Sequence, residues 1–239
     1  MRRADTSPMK TYGQYCPIAR AAEVFAERWT PIIVRNLHLG CQTFTAIQQG
    51  APGIPKSLLV TRLLRLTELE VVVRRPSPSG RGWRYSLSRS GAELFEICIA
   101  LGTWGSRWLE LAPEHLDPYI ALWSMARSFE RGRLPAGRLV IRFEFPDQRR
   151  HRRFWLLLEQ GEAEVCVRHP GDEESLVIEA DSEAFVRWRM GQLPWTRAVA
   201  AGRIRVTGPR ELVRAFLSWG PLSRFAEVRP AQGTAAAVS

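Results

Sequence analysis

Apolar and polar residues alternate at helical spacing over residues 16–39, and this pattern predicts two helices in succession. Thr30 is the expected N-cap of the second helix, with Pro31 in its first turn, where no backbone N–H is needed. A short third helix is predicted over residues 44–49, and it ends at the Gly- and Pro-containing turn of residues 50–53. The chain is therefore predicted to be helical up to this turn.

The next stretch, residues 55–70, is predicted to be an amphipathic helix with leucines along one face and basic residues on or near the other. A β-branched run over residues 71–73 and an alternating stretch over residues 83–87 then predict a β-hairpin with a long basic loop. A helix, a turn, a second helix with a basic face and a basic hairpin follow one another in winged helix-turn-helix domains, in which the second helix enters the major groove.

Several residues of this predicted motif have side chains suited to DNA. Hydroxyls and amines bond phosphate or base edges, and arginine can bond guanine through two hydrogen bonds. The positive end of the helix dipole near Pro55 would also favour a phosphate. The candidate DNA-binding residues are Lys56, Ser57, Thr61, Arg62 and Arg65 in the helix, and Arg81 and Arg84 in the hairpin. The alternative is a helical core with a solvated charged face.

A long helix is predicted after the hairpin, with Ser88 or Ser90 as its cap. Its apolar residues over 94–109 lie on more than one side, which a lone surface helix does not show. A second surface must therefore cover this helix. Pro113 follows as the predicted boundary between two domains.

Beyond Pro113 the pattern predicts a helix over residues 116–131, then four strand-like stretches within residues 139–179, and then helices within residues 182–216. This order is typical of an α+β domain that begins with strands. We therefore predict an α+β protein with one domain over residues 1–112, a second over residues 113–229 and a disordered tail over residues 230–239.

Composition and charge refine this picture. The chain has 239 residues, of which 45% are hydrophobic and 24% charged, as in globular proteins. No apolar run reaches the roughly 18 residues needed to cross a bilayer, and no secretory signal follows Met1, so we expect a cytoplasmic protein without membrane contact. Residues 1–112 carry 15 Lys and Arg against 8 Asp and Glu, and residues 113–239 carry 19 against 16. The excess positive charge of the first half favours approach to a polyanion.

The cysteines and histidines do not form a recognisable reactive or metal site. The four cysteines stand singly, so reduced thiols are expected. His115, His151 and His169 are far apart and lack the spacing of metal ligands, and the second half has no Gly-rich phosphate loop and no activated serine motif. We therefore expect no metal, no cofactor and no enzymatic activity.

Several separated motifs in the first half resemble the HxlR-type winged helix-turn-helix regulators of bacteria. They are residues 15–21, residues 27–37, Phe44, residues 52–54, residues 58–69 with Thr61-Arg62-Leu63, residues 85–91, and Trp104 with Gly105. The resemblance covers about residues 13–111. It implies a transcription regulator that is a homodimer built from the first and last helices of the domain and that binds double-stranded DNA with an inverted-repeat operator. Ahead of the recognition helix the family commonly has a basic or small polar residue, where this chain has Pro55-Lys56-Ser57-Leu58.

The same resemblance raises a redox hypothesis, because Cys16 stands near the start of the first helix, where some HxlR-type regulators carry an oxidant-sensing cysteine. A helix N-terminus can lower the pKa of a thiol and favour the reactive thiolate. The alternative is that Cys16 is a buried apolar residue at a dimer seam.

The second half resembles the sterol carrier protein fold over about residues 117–220, on the motifs of residues 175–181, Ala184-Phe185, residues 190–192 and residues 200–208. The resemblance implies a five-stranded sheet with helices that enclose an apolar tunnel for a hydrophobic small molecule. The candidate ligand-binding residues are Phe143, Trp155, Leu157, Val165, Phe185, Trp188, Met190, Trp195 and Phe216. The alternative for each is a place in an ordinary core.

Two classes of function follow from these resemblances. The first is a DNA-binding transcription regulator whose affinity for its operator is controlled by a hydrophobic effector. The second is a lipid or small-molecule carrier whose helical half serves dimerisation. The basic helix and the basic hairpin loop favour the first class, because a carrier needs neither of them.

Overall fold

The computed structural model describes residues 11–231 of the chain. The chain divides into two compact units, the first ending at Leu101 and the second beginning at Gly102. This division lies before Pro113, so the domain limits 1–112 and 113–229 stay predictions. The predicted disordered tail lies, from residue 232 onward, outside the described residues.

The first unit contains the helices and the hairpin of a winged helix-turn-helix. Its elements are α1 (Pro17–Phe25), α2 (Thr30–His38), α3 (Phe44–Gln49), α4 (Lys56–Glu68), β1 (Val72–Pro76), β2 (Trp83–Leu87) and α5 (Arg89–Trp108), which continues into the second unit. Strands β1 and β2 are antiparallel, with Val72 opposite Leu87 and Pro76 opposite Trp83. The predicted order of elements is confirmed.

The start of α2 differs from the prediction. Trp29 is the N-cap, with a left-handed backbone (φ 79°), and Thr30 is already helical. Thr30 is buried, and its backbone N–H donates to the carbonyl of Glu27 at 3.0 Å. The first amides of a helix have no acceptor within the helix, and here the preceding turn supplies one. The assignment of Thr30 as the N-cap is therefore wrong.

A buried polar cluster fixes α2 against the turn that precedes α4. Asn36 donates from Nδ2 to the carbonyl of Ile47 at 2.9 Å. Arg35 donates to Asn36 Oδ1 at 2.9 Å and to the carbonyl of Gly50 at 2.6 Å, and burial lowers the pKa of its guanidinium. Because each buried carbonyl finds a donor, the turn leading to α4 is held without exposing its backbone.

Helix α5 is fixed at its start by Ser88, whose hydroxyl accepts from the N–H of Gly91 at 3.1 Å, as the sequence predicts. Gly91 is needed for close approach, because a Cβ there would lie 2.2 Å from the carbonyl oxygen of Val71. Farther along, the Cys98 thiol lies 3.7 Å from the carbonyl of Pro31, and burial raises its pKa to about 11.

The second unit is built on a five-stranded mixed sheet with strand order β5-β4-β3-β6-β7. Strands β3 and β6 are parallel and the other neighbouring pairs are antiparallel. Its elements are α6 (Pro118–Ser128), β3 (Leu139–Glu144), β4 (Arg153–Glu159), β5 (Glu162–Cys166), β6 (Leu176–Ala180), α7 (Ser182–Arg189), α8 (Trp195–Ala200), β7 (Ile204–Thr207) and α9 (Arg210–Ser218), with short 3₁₀ turns at Pro113–His115 and Arg131–Arg133. The predicted α+β fold and the five-stranded sheet are confirmed.

The C-terminal segment, residues 219–231, packs against two parts of the second unit. Arg189, which is 5% exposed, donates to the hydroxyls of Ser124 and Ser128 at 3.2 Å and to the carbonyl of Pro221. Burial lowers the pKa of its guanidinium to about 9. Phe225 covers Gly102, where a Cβ would lie 2.4 Å from its ring. The segment therefore contacts both α7 and the last turns of α5.

Candidate nucleic-acid interface

Helix α4 turns one face into the core and presents another to solvent. The inner face carries three buried leucines, Leu59, Leu63 and Leu66. At about 100° per residue, Ser57, Val60, Thr61 and Leu64 fall within an arc of roughly 100° on the side away from the core, and Glu68, at the end of the helix, falls in the same arc. We call the first four residues the recognition face. Val60 is 44% exposed and Leu64 37%, so two of these four residues are accessible apolar side chains.

The two hydroxyls and the helix start complete this surface. The Thr61 hydroxyl donates to the carbonyl of Ser57 at 3.1 Å, so toward a ligand it can only accept. Lys56 and Ser57 are exposed in the first turn. Pro55 is the N-cap residue and has no side-chain acceptor for the first amides of α4. The start of α4 therefore offers backbone N–H groups and a cation to an anion.

Arg62 does not lie on the recognition face. It lies on the flank of α4, where its guanidinium forms an ion pair with Glu27, and its side chain is 20% exposed. Its Nε atom is buried and has no hydrogen-bond partner among the described residues. Arg62 thus connects α4 to the turn between α1 and α2. Arg62 therefore lies near the outward face, and its role as a DNA contact stays a prediction.

Arg65 also lies on a flank of α4, but it is more accessible. Its guanidinium pairs with Glu68 at 3.1 Å, and its side chain is 42% exposed. An ion pair as exposed as this one contributes little free energy, so Arg65 can leave Glu68 for another anion at little cost in free energy. Arg65 is therefore available to a phosphate beside the recognition face.

The hairpin presents two arginines whose surroundings differ. Arg81 is exposed in the loop between β1 and β2, which turns at Gly80 and Gly82 with φ of 71° and 79°. Arg84, at the base of the loop, is exposed and donates to Gln42 Oε1 at 2.6 Å. Arg81 is thus accessible in the loop, and Arg84 is oriented by Gln42 in the segment before α3.

A cation–π pair lies beside these arginines. The Arg74 guanidinium lies 3.7 Å from the ring centre of Trp83, which is 44% exposed. Such a stack stiffens the two strands below the loop. The sequence analysis missed this pair and the apolar residues of the recognition face. A helical wheel that fixed the leucines of α4 in the core would have placed Val60 and Leu64 outside.

One face of α5 carries exposed apolar residues at coiled-coil spacing. Ile97 and Leu101 are each 48% exposed, Trp104 is 54% and Trp108 52%. They follow one another at steps of four, three and four residues, which keeps them on one side of the helix. We call them the α5 seam. In α1, Ile18 is 80% exposed. Exposed apolar rows of this kind mark surfaces that bind another protein.

The residues predicted to line a tunnel are divided between the two faces of the sheet. Phe143, Phe185 and Phe216 are fully buried, and Phe143 lies 5.6 Å and 6.1 Å, between ring centres, from the other two. Trp188 and Trp195 join them, with ring centres 4.7 Å apart. Val165 packs against this core and Met190 caps α7. Aromatic packing occupies the space between these rings, and the tunnel stays a prediction.

Trp155 and Leu157 lie on the opposite face. They alternate along β4 with the buried residues Phe154, Leu156 and Leu158, and side chains alternate between the two faces of a sheet. Trp155 donates from Nε1 to Glu174 at 2.9 Å. The structure therefore does not bring these two residues together with the aromatic core.

Two clefts lie near one edge of this sheet. The larger has a volume of about 540 Å³, and its walls include Tyr119, Phe154, Arg150 and Val167. The smaller, of about 390 Å³, is also lined by Val167 and includes Trp155. The larger volume falls within the range of small-molecule sites.

The remaining candidates are a reactive cysteine, a metal site and a membrane-spanning helix. Cys16 is the N-cap residue of α1 and is half-buried. Within residues 11–231 no cluster of three His, Cys, Asp or Glu side chains is arranged to hold a metal ion. Across the same residues no helix combines the length and the apolar character needed to cross a membrane.

Comparison with known proteins identifies the first part of the chain. The model of the HxlR-like helix-turn-helix family matches residues 24–113. An uncharacterized HTH-type transcriptional regulator of Mycobacterium tuberculosis is 34% identical over 93 residues, which are 38% of this chain and 58% of that protein. The chain thus spans little more than half the length of this relative.

Two proteins of Bacillus subtilis are covered more completely. The uncharacterized HTH-type transcriptional regulator YvaP is 33% identical over 108 residues, which are 44% of this chain and 96% of that protein. The reduced form of the transcriptional regulator YodB shares 26% identity, with 39% of this chain and 93% of that chain covered and a TM-score of 0.35. On the family match and the YvaP likeness, the chain belongs to the HxlR-like helix-turn-helix family of transcriptional regulators.

Proposed function

We propose that this protein binds double-stranded DNA at an inverted-repeat operator, as a homodimer, and regulates transcription. The observation that carries the proposal is the recognition face of α4, which follows the turn of a helix-turn-helix and is turned away from the core. In this arrangement the second helix of the motif enters the major groove. The hairpin then lies against the backbone or the adjacent minor groove.

The candidate residues divide into three roles in this proposal. Lys56, Ser57 and Arg65 contact phosphates on either side of the groove, because they surround the recognition face and are accessible. Thr61 accepts from a base edge. Arg62 is a positioning residue, which acts through Glu27 by fixing the orientation of α4.

The hairpin arginines supply the remaining contacts. Arg81, at the exposed loop, reaches the backbone or the minor groove, and Arg84 contacts a phosphate from the base of the hairpin. Narrow minor grooves attract arginine through their negative potential. The Arg74–Trp83 stack holds the strands that carry this loop.

The α5 seam supports the homodimer. Four half-exposed apolar side chains on one helix are costly in water and gain free energy when a second copy covers them. A two-fold axis through a helix pair also fits an inverted repeat, because each half-site then meets one recognition helix.

The proposal is tested by mobility shift with DNA upstream of the protein's own gene, at two salt concentrations and with non-specific competitor. A specific complex that weakens with salt is expected, because each phosphate contact releases a counterion. Lys56→Gln should weaken it on every sequence, and Glu162→Gln, at an exposed position on β5 of the second unit, serves as the control. The absence of a specific complex on DNA selected from a random pool would reject the proposal.

We also propose that the second unit is a sterol-carrier-like module that binds a hydrophobic effector. Its support is the five-stranded sheet with helices in the order that the resemblance implies, and the 540 Å³ cleft with Tyr119 and Phe154 on its walls. The cleft, rather than the aromatic core, has room for a ligand. An effector bound there would alter operator affinity only if it binds the two conformations of the dimer unequally.

This second proposal is tested with the fluorescent fatty acid cis-parinaric acid. Val167 lines both clefts and is 56% exposed, so Val167→Trp should fill the space without disturbing the core. The probe should bind the native chain and bind Val167→Trp more weakly. Val199→Trp, at a 40% exposed position in α8, is the matched control. If both variants bind the probe equally well, the ligand does not occupy the clefts at Val167. If the native chain does not bind the probe, the proposal that the second unit binds this class of ligand is rejected.

A further inference from the structure

We infer that the recognition face reads thymine through its methyl group, with Val60 and Leu64 contacting the C5-methyls of two thymines in each half-site. This inference rests on the proposed DNA binding and adds the class of base that α4 recognises. It follows from what the outward face of α4 carries, and from where the cations of this helix lie.

Two of the four residues of the recognition face are apolar and accessible. Val60 and Leu64 are the exposed large hydrophobic residues of α4, at 44% and 37% exposure. They are one helical turn apart, so their side chains lie side by side on the same face. When this helix enters a groove, the exposed apolar pair loses its contact with water. This loss is favourable where the groove presents an apolar group for the pair to contact.

The cations of α4 surround this pair and do not lie on it. Lys56 is at the helix start, Arg65 is on one flank beside Glu68, and Arg62 is turned toward Glu27. The four residues of the recognition face include no cation, and Arg65, beside the face, lies about 40° round the helix from Thr61. Guanine presents two acceptors in the major groove, which are normally met by arginine or lysine. Facing Val60 or Leu64, these acceptors would lose water without gaining a donor.

The polar residue Thr61 also disfavours guanine. The Thr61 hydroxyl donates its hydrogen bond to the carbonyl of Ser57, so toward the groove it can accept a hydrogen bond but not donate one. An acceptor suits the amino groups of adenine or cytosine. Thymine is the base that offers an apolar group in the major groove, and its partner adenine offers an amino group that Thr61 can accept from.

The spacing of the pair limits the arrangement of the thymines. Val60 and Leu64 are separated by roughly 6 Å along the helix axis, at 1.5 Å per residue. Successive base pairs are about 3.4 Å apart. The two methyls should therefore lie one or two base steps apart in each half-site.

The experiment removes these methyls and nothing else. The full-length chain selects its operator from a random DNA pool, and each thymine of the half-site is then replaced by deoxyuridine, which pairs identically but lacks the C5-methyl. Affinity is measured by fluorescence anisotropy at one fixed salt concentration. Replacing a contacted thymine should weaken binding about fourfold, which is the change for about 0.8 kcal/mol at 1.4 kcal/mol per tenfold.

Two variants assign the methyls to their residues. Val60→Ala should become insensitive to deoxyuridine at one position, and Leu64→Ala at a second position one or two steps away. Val199→Ala, whose parent side chain is 40% exposed in α8, should keep the full sensitivity of the native chain. If removing the side chain abolishes the effect of removing the methyl, the two losses of affinity are not additive, and the side chain and the methyl are in direct contact.

The other outcomes overturn the inference in distinguishable ways. Specific binding that is unchanged by every deoxyuridine rejects methyl recognition and leaves the proposed DNA binding intact. If Val60→Ala or Leu64→Ala changes the sedimentation coefficient of the DNA-free protein, the face is a contact between copies of the chain. If selection yields no preferred sequence, both the inference and the proposed operator binding fail.

Discussion

The ion pair between Arg62 and Glu27 predicts that Arg62 stabilises the first unit and does not bind phosphate. The side chains are 20% and 36% exposed, so the pair is neither fully buried nor fully solvated. Removing one partner of a buried pair costs about 3–5 kcal/mol, whereas exposed pairs contribute about 0–1 kcal/mol. Arg62 also has a buried Nε without a partner among the described residues. We therefore expect Glu27→Gln to lower the free energy of unfolding by about 1–2 kcal/mol.

Urea unfolding measures this change directly. With a denaturant slope of about 2 kcal/mol per molar, the midpoint should fall by roughly 0.5–1 M. Arg62→Gln and the double variant with Glu27→Gln complete a double-mutant cycle, which isolates the interaction between the two side chains. A coupling free energy near zero would show that the pair does not contribute in solution.

The salt dependence of DNA binding separates the two roles of an arginine. A phosphate contact contributes about one unit to the slope of log affinity against log salt. Arg62→Gln should leave this slope unchanged while it lowers affinity through the position of α4, and Lys56→Gln should reduce the slope by about one. A slope that falls by about one for Arg62→Gln, without loss of stability, would refute the assignment of Arg62 as a positioning residue.

Four further predictions concern the hairpin, the seam, a buried thiol and a glycine. Arg81→Gln should lower affinity evenly across DNA sequences and reduce the salt slope by about one, as titrations at several salt concentrations will show. Leu101→Glu should prevent formation of the proposed dimer in sedimentation experiments while circular dichroism stays unchanged, because dimerisation would bury a carboxylate in the α5 seam. Alkylation of Cys98 should be slow at neutral pH and accelerate as the pH rises toward its pKa of about 11, because the thiolate is the reactive form. Gly91→Ala should destabilise the first unit by about 1–3 kcal/mol in urea unfolding, because its Cβ would lie 2.2 Å from the carbonyl oxygen of Val71.

The three predictions that use substitutions each have a matched control in the same chain. Arg89→Gln, at a side chain that is 95% exposed at the start of α5, should leave the salt slope unchanged. Val199→Glu should leave the dimer intact. Gly105→Ala should not destabilise the protein, because its Cβ meets its nearest atom, on Leu109, at 3.9 Å. If a control changes as much as its test variant, the corresponding contact is not the cause.

The order of helices and strands could be predicted because each element has a local signal. In the second unit the strand-like stretch predicted at residues 153–159 has the bounds that β4 shows in the structure. The cap of α5 could be predicted from Ser88, whose partner Gly91 is three residues away. The start of α2 could not, because Trp29 adopts a positive φ that no local pattern indicates.

The site was harder to predict than the fold, because its geometry depends on distant pairs. The sequence does not indicate that Glu27, which is remote in sequence, forms an ion pair with Arg62. Two of the residues predicted to line a tunnel lie apart from the others for a different reason. Trp155 lies one residue from Phe154, and a shift of one residue along a strand moves a side chain to the other face of the sheet. Aromatic composition does not report which face a ring occupies.

The C-terminal segment has a practical consequence for anyone who divides this protein. Phe225 fills the notch at Gly102, and the N–H of Ala231 donates to the carbonyl of Arg107 at 2.7 Å. A fragment that stops after α5 would lack the Phe225 ring that covers Gly102 and the N–H that pairs with the carbonyl of Arg107. The surface thus exposed lies on the same turns as the half-exposed Trp104 and Trp108. We expect such a fragment to aggregate for reasons unrelated to its fold. The last turns of α5 are thus completed by Phe225 and Ala231, which come much later in the chain.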